Sequence, residues 1–228
     1  MGKFMASSKA ELVLKNARLF QGLSHYEINL ICQHALMGER TYAKDEIIIS
    51  QGEQVKKIGI INAGNIIGAK YHYNGDAHIV RIYNQSEVIS LDTVNTASLS
   101  SPVTLISQTD SNIIFFLYRQ IFETDKIGPA VKERILFNSS EILSSEMIRM
   151  MYKIDVISKR TLKERIMTYL SIMKEKRDDS LIDIGMNQEE FAQYLCVNRS
   201  TLSTELNQMK KAGLIDYNKN SYRVIDKG

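Results

Sequence analysis

Arg199, Ser200, Ser203 and Thr204 lie at the start of the stretch NRSTLSTELNQMKK, in which Leu202, Leu206 and Met209 recur at i, i+4 and i+7. On a helix that spacing gathers the apolar side chains into one stripe and leaves short hydroxyls and a guanidinium elsewhere on the surface. Such a surface suits a helix lying in the major groove of duplex DNA, where base edges are read by small hydrogen-bonding groups and guanidinium pairs bidentately with guanine. Asn187, Gln188 and Asn198 stand where the two helices of this region would begin, and amides and backbone N–H groups there can hold phosphate.

Other chemistry is thinly represented. Cys32 and Cys196 are the only cysteines, too few for a disulfide scaffold or a four-thiolate metal site. His72 and His78 could ligate a metal in a barrel enzyme, but Asp76 in the intervening turn is the only nearby carboxylate. No nucleophile–base pair or Gly-rich phosphate loop occurs, so the chain is read as a non-enzyme, with a metal-dependent barrel enzyme as the weaker alternative.

The elements that must position Arg199 and its neighbours can be read locally. MNQEEFAQYLCVNRSTLSTELNQMKKAGLI predicts two helices joined by a turn through Cys196 and Val197. Asn187 and Asn198 are their N-caps, and Glu189 and Glu190 sit in the positive first turn of the first helix. Phe191, Ala192 and Leu195 form its buried side, and Gly213 follows Lys210 and Lys211 as the stop of the second. LIDYNKNSYRVID then predicts two short strands around residues 218–220, the pattern of a wing. Charge agrees with a polyanion partner: residues 1–157 carry 16 basic and 16 acidic side chains, whereas residues 158–228 carry 13 and 10.

Upstream the pattern differs. Seven of the 12 glycines fall between Gly22 and Gly75, among short strand-like runs such as EIIIS, KKIGIINAGNIIG and HIVRIY, with Asn74-Gly75 as a hairpin turn. Many short strands with frequent turns predict an antiparallel sandwich or barrel. From Ala130 to Ile184 neither Gly nor Pro occurs, and Leu136, Ser140, Leu143, Met147, Met150, Ile154 and Ile157 recur at alternating spacings of four and three. That is a coiled-coil seam, most simply paired with its own copy in a two-fold homodimer. A helix beginning at Pro129 and a second after Ser158 follow. No apolar run approaches the roughly 20 residues of a membrane span, and MGKFMASSKAELVLK lacks the apolar core of a signal peptide, so a cytoplasmic location is expected.

With LFQGLSHYE, YAKDEIIISQGE, SEVISLD, SSPVTLISQTDS, the seam helix and the Asn198–Thr204 register on the page, the chain resembles the CRP/FNR family of transcription regulators over almost its full length. The resemblance implies an α+β fold: an N-terminal cupin-like antiparallel β-barrel (a double-stranded β-helix), a long dimerisation helix and a C-terminal winged helix-turn-helix. The domains would be 1–128 for a sensory, cyclic-nucleotide-binding-like barrel, 129–157 for the dimerisation helix and 158–228 for DNA binding. It also implies a homodimer on palindromic double-stranded DNA, contacts with RNA polymerase, and a small-molecule effector in the barrel. Arg199 matches an arginine that the family uses on bases, while Ser200 and Thr204 replace two other readers, Glu and Arg.

The sensor departs from the cyclic-nucleotide pattern. Ser90-Leu91 stand where the family carries Gly-Glu for the ribose, and Ser101-Pro102 where it carries Arg-Ser or Arg-Thr for the phosphate. A cyclic phosphate buried without its guanidinium would be costly, so cAMP is not the expected effector. An iron–sulfur cluster of the FNR kind needs four cysteines. Haem would rest on His72 or His78, where a histidine is ordinarily a surface or hydrogen-bonded residue. Leu91, Asp92, Ser100, Ser101 and Ser140 are the expected lining at the barrel–helix junction, a mix suited to an uncharged or weakly polar molecule. The alternative is a constitutive regulator whose barrel is simply filled.

Overall fold

β-Branched and aromatic residues crowd the first half of the chain, and among the described residues they pair there as eight short antiparallel strands. The computed structural model describes residues 8–71, 77–177 and 181–225. Two compact units divide the chain, Met1–Ser145 and Glu146–Gly228.

The first unit opens with α1 (Ser8–Asn16), a 3-10 turn (Arg18–Phe20) and α2 (His25–Ala35). Ser24 caps α2 in a reciprocal box: its hydroxyl accepts from the Glu27 N–H, and the Glu27 carboxylate accepts from the Ser24 N–H at 2.7 Å. The strands are β1 (Leu36–Tyr42), β2 (Ile47–Ile49), β3 (Ile58–Ala63), β4 (Ile66–Tyr71), β5 (Ala77–Tyr83), β6 (Val88–Ile89), β7 (Thr104–Ser107) and β8 (Ser111–Phe116). Two short helices, α3 (Leu91–Val94) and α4 (Tyr118–Glu123), lie among and after them. One sheet has the order β1-β8-β3-β6 and the other β2-β7-β4-β5. The chain alternates between the two sheets except at the antiparallel pair β4–β5, the arrangement of a double-stranded β-helix.

Ile58, Ile60 and Ile61 of β3 and Ile113 and Phe116 of β8 are wholly buried, with Phe20 edge-on to Phe116 at 5.5 Å between ring centroids. Gly59 lets the strands close up: a Cβ there would lie 2.7 Å from the Ile113 side chain and 2.9 Å from Ile89. Asn74-Gly75 lies outside the described residues.

α5 (Pro129–Ser158) is one helix of 30 residues, starting at the proline as its missing N–H allows. Val131, Ile135 and Ile142 join the barrel core, and Leu143 packs against it. Buried Asn138 donates to the Leu19 and Gln21 carbonyls at 2.9 Å, tying the 3-10 turn to the helix.

The second unit contains α6 (Leu162–Arg177), β9 (Ile182–Asp183), α7 (Gln188–Tyr194), α8 (Arg199–Lys211), β10 (Ile215–Asn218) and β11 (Ser221–Val224). β11 pairs with both β10 and β9, so the wing is a three-stranded antiparallel sheet rather than the two-stranded one expected. Ile166, Leu170, Phe191, Leu195, Leu202, Leu206, Ile215 and Tyr222 form its core, each fully buried.

Candidate nucleic-acid interface

The pair α7–α8 is held by its caps and its turn. Asn187 Oδ1 accepts from the Glu190 N–H at 3.0 Å and the Glu190 carboxylate returns the bond to the Asn187 N–H at 2.8 Å. Asn198 Oδ1 accepts from the Thr201 N–H at 2.9 Å and from the Ser200 and Thr201 hydroxyls. Both asparagines are exposed, and Gln188 is half-buried at the first position of α7. Their capping is done by the side-chain oxygen, which leaves the amide NH2 as the part that can face phosphate.

Between the helices the chain turns at Cys196, whose φ of +58° lies in the left-handed region. Val197 N–H donates to the Ala192 carbonyl at 3.0 Å, and the Arg165 guanidinium of α6 donates to the Leu195 carbonyl at 3.2 Å. These contacts aim α8. Phe191, Ala192, Leu195, Leu202, Leu206 and Met209, the residues expected inside, are buried. Arg199, Ser200 and Thr204 are exposed and Ser203 is half-buried.

The wing is fastened to α8 by contacts that the sequence pattern does not signal. Lys210 Nζ lies 2.7 Å from Asp216, and its hydrogen bond and charge hold the Asp216 carboxyl below the usual carboxylate range. The Tyr217 hydroxyl donates to Asn207 Oδ1 at 3.2 Å, and the Tyr217 ring stacks on Tyr222. Lys219, with φ +54°, stands exposed in the turn of the wing.

One more cluster escaped the sequence. Lys153, on the last third of α5, lies with its ammonium 4.3 Å from the Tyr194 ring centroid. Burial pulls this lysine down to about 8, outweighing the opposing influence of Cys196. Burial also pushes the Tyr194 phenol up to about 12.

The seam residues divide. Leu136, Ser140, Met147 and Ile154 are exposed, whereas Leu143, Met150 and Ile157 are half-buried on their own chain. Phe137, Ile148 and Met151 are exposed beside the first group. A straight helix drifts about 20° per heptad from a 3.5 repeat, so the uncovered face shifts from the strict seam.

In the barrel, Leu91 is buried and opens α3, and Asp92 is exposed with Oδ1 accepting from the Thr93 N–H at 2.7 Å. Ser100 and Ser101 come together against residues 52–54: Ser100 Oγ donates to the Gly52 carbonyl at 3.2 Å, and Gly52 N–H to the Ser101 carbonyl at 2.8 Å. The buried Ser101 hydroxyl donates to the Val103 carbonyl at 2.7 Å. Ser140 sits on α5. His78 is half-buried on β5; His72 and Asp76 lie outside the described residues. Among the described residues no group of three or more His, Cys, Asp or Glu is placed to hold a metal ion. No helix among them is long and apolar enough to cross a membrane.

Comparison with known proteins agrees with this geometry. Residues 164–228 match the Crp-like helix-turn-helix domain. No curated protein matches the chain by sequence. Among solved structures, the c-di-GMP responsive global regulator CLP of Xanthomonas campestris is 14% identical with TM-score 0.72, over 90% of this chain and 100% of that one. A CooA mutant from Carboxydothermus hydrogenoformans is 17% identical with TM-score 0.67, over 82% and 83%. FixK2 from Bradyrhizobium japonicum is 17% identical with TM-score 0.61, over 83% and 92%. At these identities the likeness is one of fold. Residues 164–228 are thus a Crp-like helix-turn-helix domain, and the chain as a whole shares the fold of those regulators.

Proposed function

We propose that the protein is a homodimeric, sequence-specific regulator of transcription that reads palindromic duplex DNA through α8. The observation that carries this reading is the exposed N-terminal end of α8, where Arg199, Ser200 and Thr204 face outward opposite a fully buried stripe. Asn187, Gln188 and Asn198 supply amides for the flanking phosphates, and Ser203 stands at the edge of the reading face. The second copy is proposed to cover the apolar face of α5, where Leu136, Phe137, Met147, Ile148, Met151 and Ile154 would otherwise meet water. RNA polymerase is the proposed downstream partner. Selection from random duplexes is the test: enrichment of a two-fold symmetric site with half-sites about one helical turn apart supports the proposal. Recovery of no enriched sequence, with or without metabolite extract, would contradict it.

The proposed effector is a small molecule other than cAMP, because a buried leucine stands at the ribose position and no arginine accompanies Ser101-Pro102. One observation favours the constitutive alternative. The hydroxyls of Ser100 and Ser101 are already spent on backbone carbonyls, so the polar part of the expected lining serves the fold. DNA affinity that no extract alters would support that alternative.

A further inference from the structure

One exposed row of α8 consists of Ser200, Thr204, Asn207 and Lys211, at i, i+4, i+7 and i+11. Hydrogen bonds inside the domain engage the first three. Ser200 Oγ donates to Asn198 Oδ1 at 3.0 Å, and Thr204 Oγ1 donates to the Ser200 carbonyl at 3.0 Å. Asn207 Oδ1 accepts from the Tyr217 phenol of the wing at 3.2 Å.

These bonds narrow what the row can say to a base. A hydroxyl has one hydrogen, and both Ser200 and Thr204 have committed theirs. Redirecting either one to a base exchanges one hydrogen bond for another and adds little discrimination. Asparagine reads adenine by using its carbonyl and its NH2 together on N7 and N6. The Tyr217 phenol takes one of the two lone pairs of the Asn207 carbonyl oxygen, so the wing orients that amide. Thr204 Oγ1, held 3.0 Å from the Ser200 carbonyl, keeps lone pairs that can only accept, and beside it the side chain offers its γ-methyl group. In the major groove thymine is set apart by its C5 methyl, which apolar side-chain atoms recognise by contact.

Resting on the DNA-binding reading above, we infer that Thr204 is a specificity-determining residue that reads thymine by methyl–methyl contact. The preferred ligand is a duplex whose half-site places a thymine methyl against Thr204, with Arg199 supplying the hydrogen-bonded base contact on the same helix. The site is selective for a methyl group rather than for a hydrogen-bond acceptor.

The test replaces the thymines of the enriched duplex one at a time by deoxyuridine, which keeps every hydrogen-bonding group and removes only the methyl. Wild type, Thr204→Val and Thr204→Ser are titrated against each duplex. In the wild type one thymine per half-site is expected to be sensitive, with about fourfold weaker binding per substituted half-site, the worth of one buried methyl. Thr204→Val, which keeps the methyl and lacks the hydroxyl, retains the sensitivity; Thr204→Ser, which keeps the hydroxyl alone, loses it. Insensitivity at every thymine, an enriched site without thymine, or any other ranking of the two variants overturns this inference and leaves DNA binding standing. Failure to enrich any duplex overturns the DNA-binding reading as well.

Discussion

Cys196 occupies the left-handed region that glycine enters without cost and other L-residues enter at about 1–2 kcal/mol. Its half-buried side chain returns part of that. Cys196→Gly is therefore expected to stabilise the C-terminal unit by about 0.5–1 kcal/mol, seen as a melting temperature raised by a few degrees. Lys153 makes a pH-dependent case. Its ordinary value is 10.5 and burial lowers it to about 8, so between these values the unfolded chain holds a proton that the folded one has released. Stability from this group rises with pH across that window, and below it the fold carries a buried ammonium at a cost. Lys153→Met should be more stable than wild type at pH 7, by on the order of 1–3 kcal/mol. That advantage should shrink between pH 8 and 10.5, as denaturant midpoints of both proteins would show. For Arg199, substitution by Ala should relax selectivity at one base pair per half-site and cost about 1–3 kcal/mol there. A selection repeated with the variant checks it. The roles of Asn187, Asn198, Leu202 and Gly213 in capping, packing and stopping helices were legible because each depends on neighbours within four residues. The left-handed Cys196 and the buried Lys153 were not, since a turn residue other than Gly or Asn gives no signal and burial of a lysine depends on a distant helix.

α5 shows both the reach of a periodic signal and its limit. A stretch without Gly or Pro marks the helix and its start at Pro129. Which turn faces the barrel is decided by Asn138, Ile142 and Leu143, whose partners lie more than a hundred residues away or in other elements. Heptad counting assigns Leu143 to the seam because spacing carries no information about what else is packed nearby. The uncovered face instead includes Phe137, Ile148 and Met151. Placing a charge in it by Met151→Glu should leave the fold of each unit intact, since Met151 is exposed. The same change should shift the protein toward monomer and weaken binding to a two-half-site duplex at least tenfold, about 1.4 kcal/mol or more. Circular dichroism, sedimentation and a DNA titration of one preparation separate these effects. In the wing, β9 and the Tyr217–Asn207 bond were illegible for a similar reason. A two-residue strand has too little pattern to read, and a tyrosine gives no hint of which amide it will meet.

Across the whole chain, the order of barrel, long helix and winged helix-turn-helix was legible from glycine spacing, the change of period and the paired caps. The expected lining of the barrel was not, because its serines are tied to the backbone around residues 52 and 103. On the proposed reading, two-fold pairing unites the elements functionally: a single α8 reads one half-site, and a palindrome needs two. The most direct measurement is sedimentation equilibrium of the protein alone and on one selected duplex. The expected result is two chains per particle in solution and two chains per duplex, with binding lost when one half-site is scrambled. A single chain bound with full affinity to a lone half-site, by a protein monomeric at the same concentration, would contradict it.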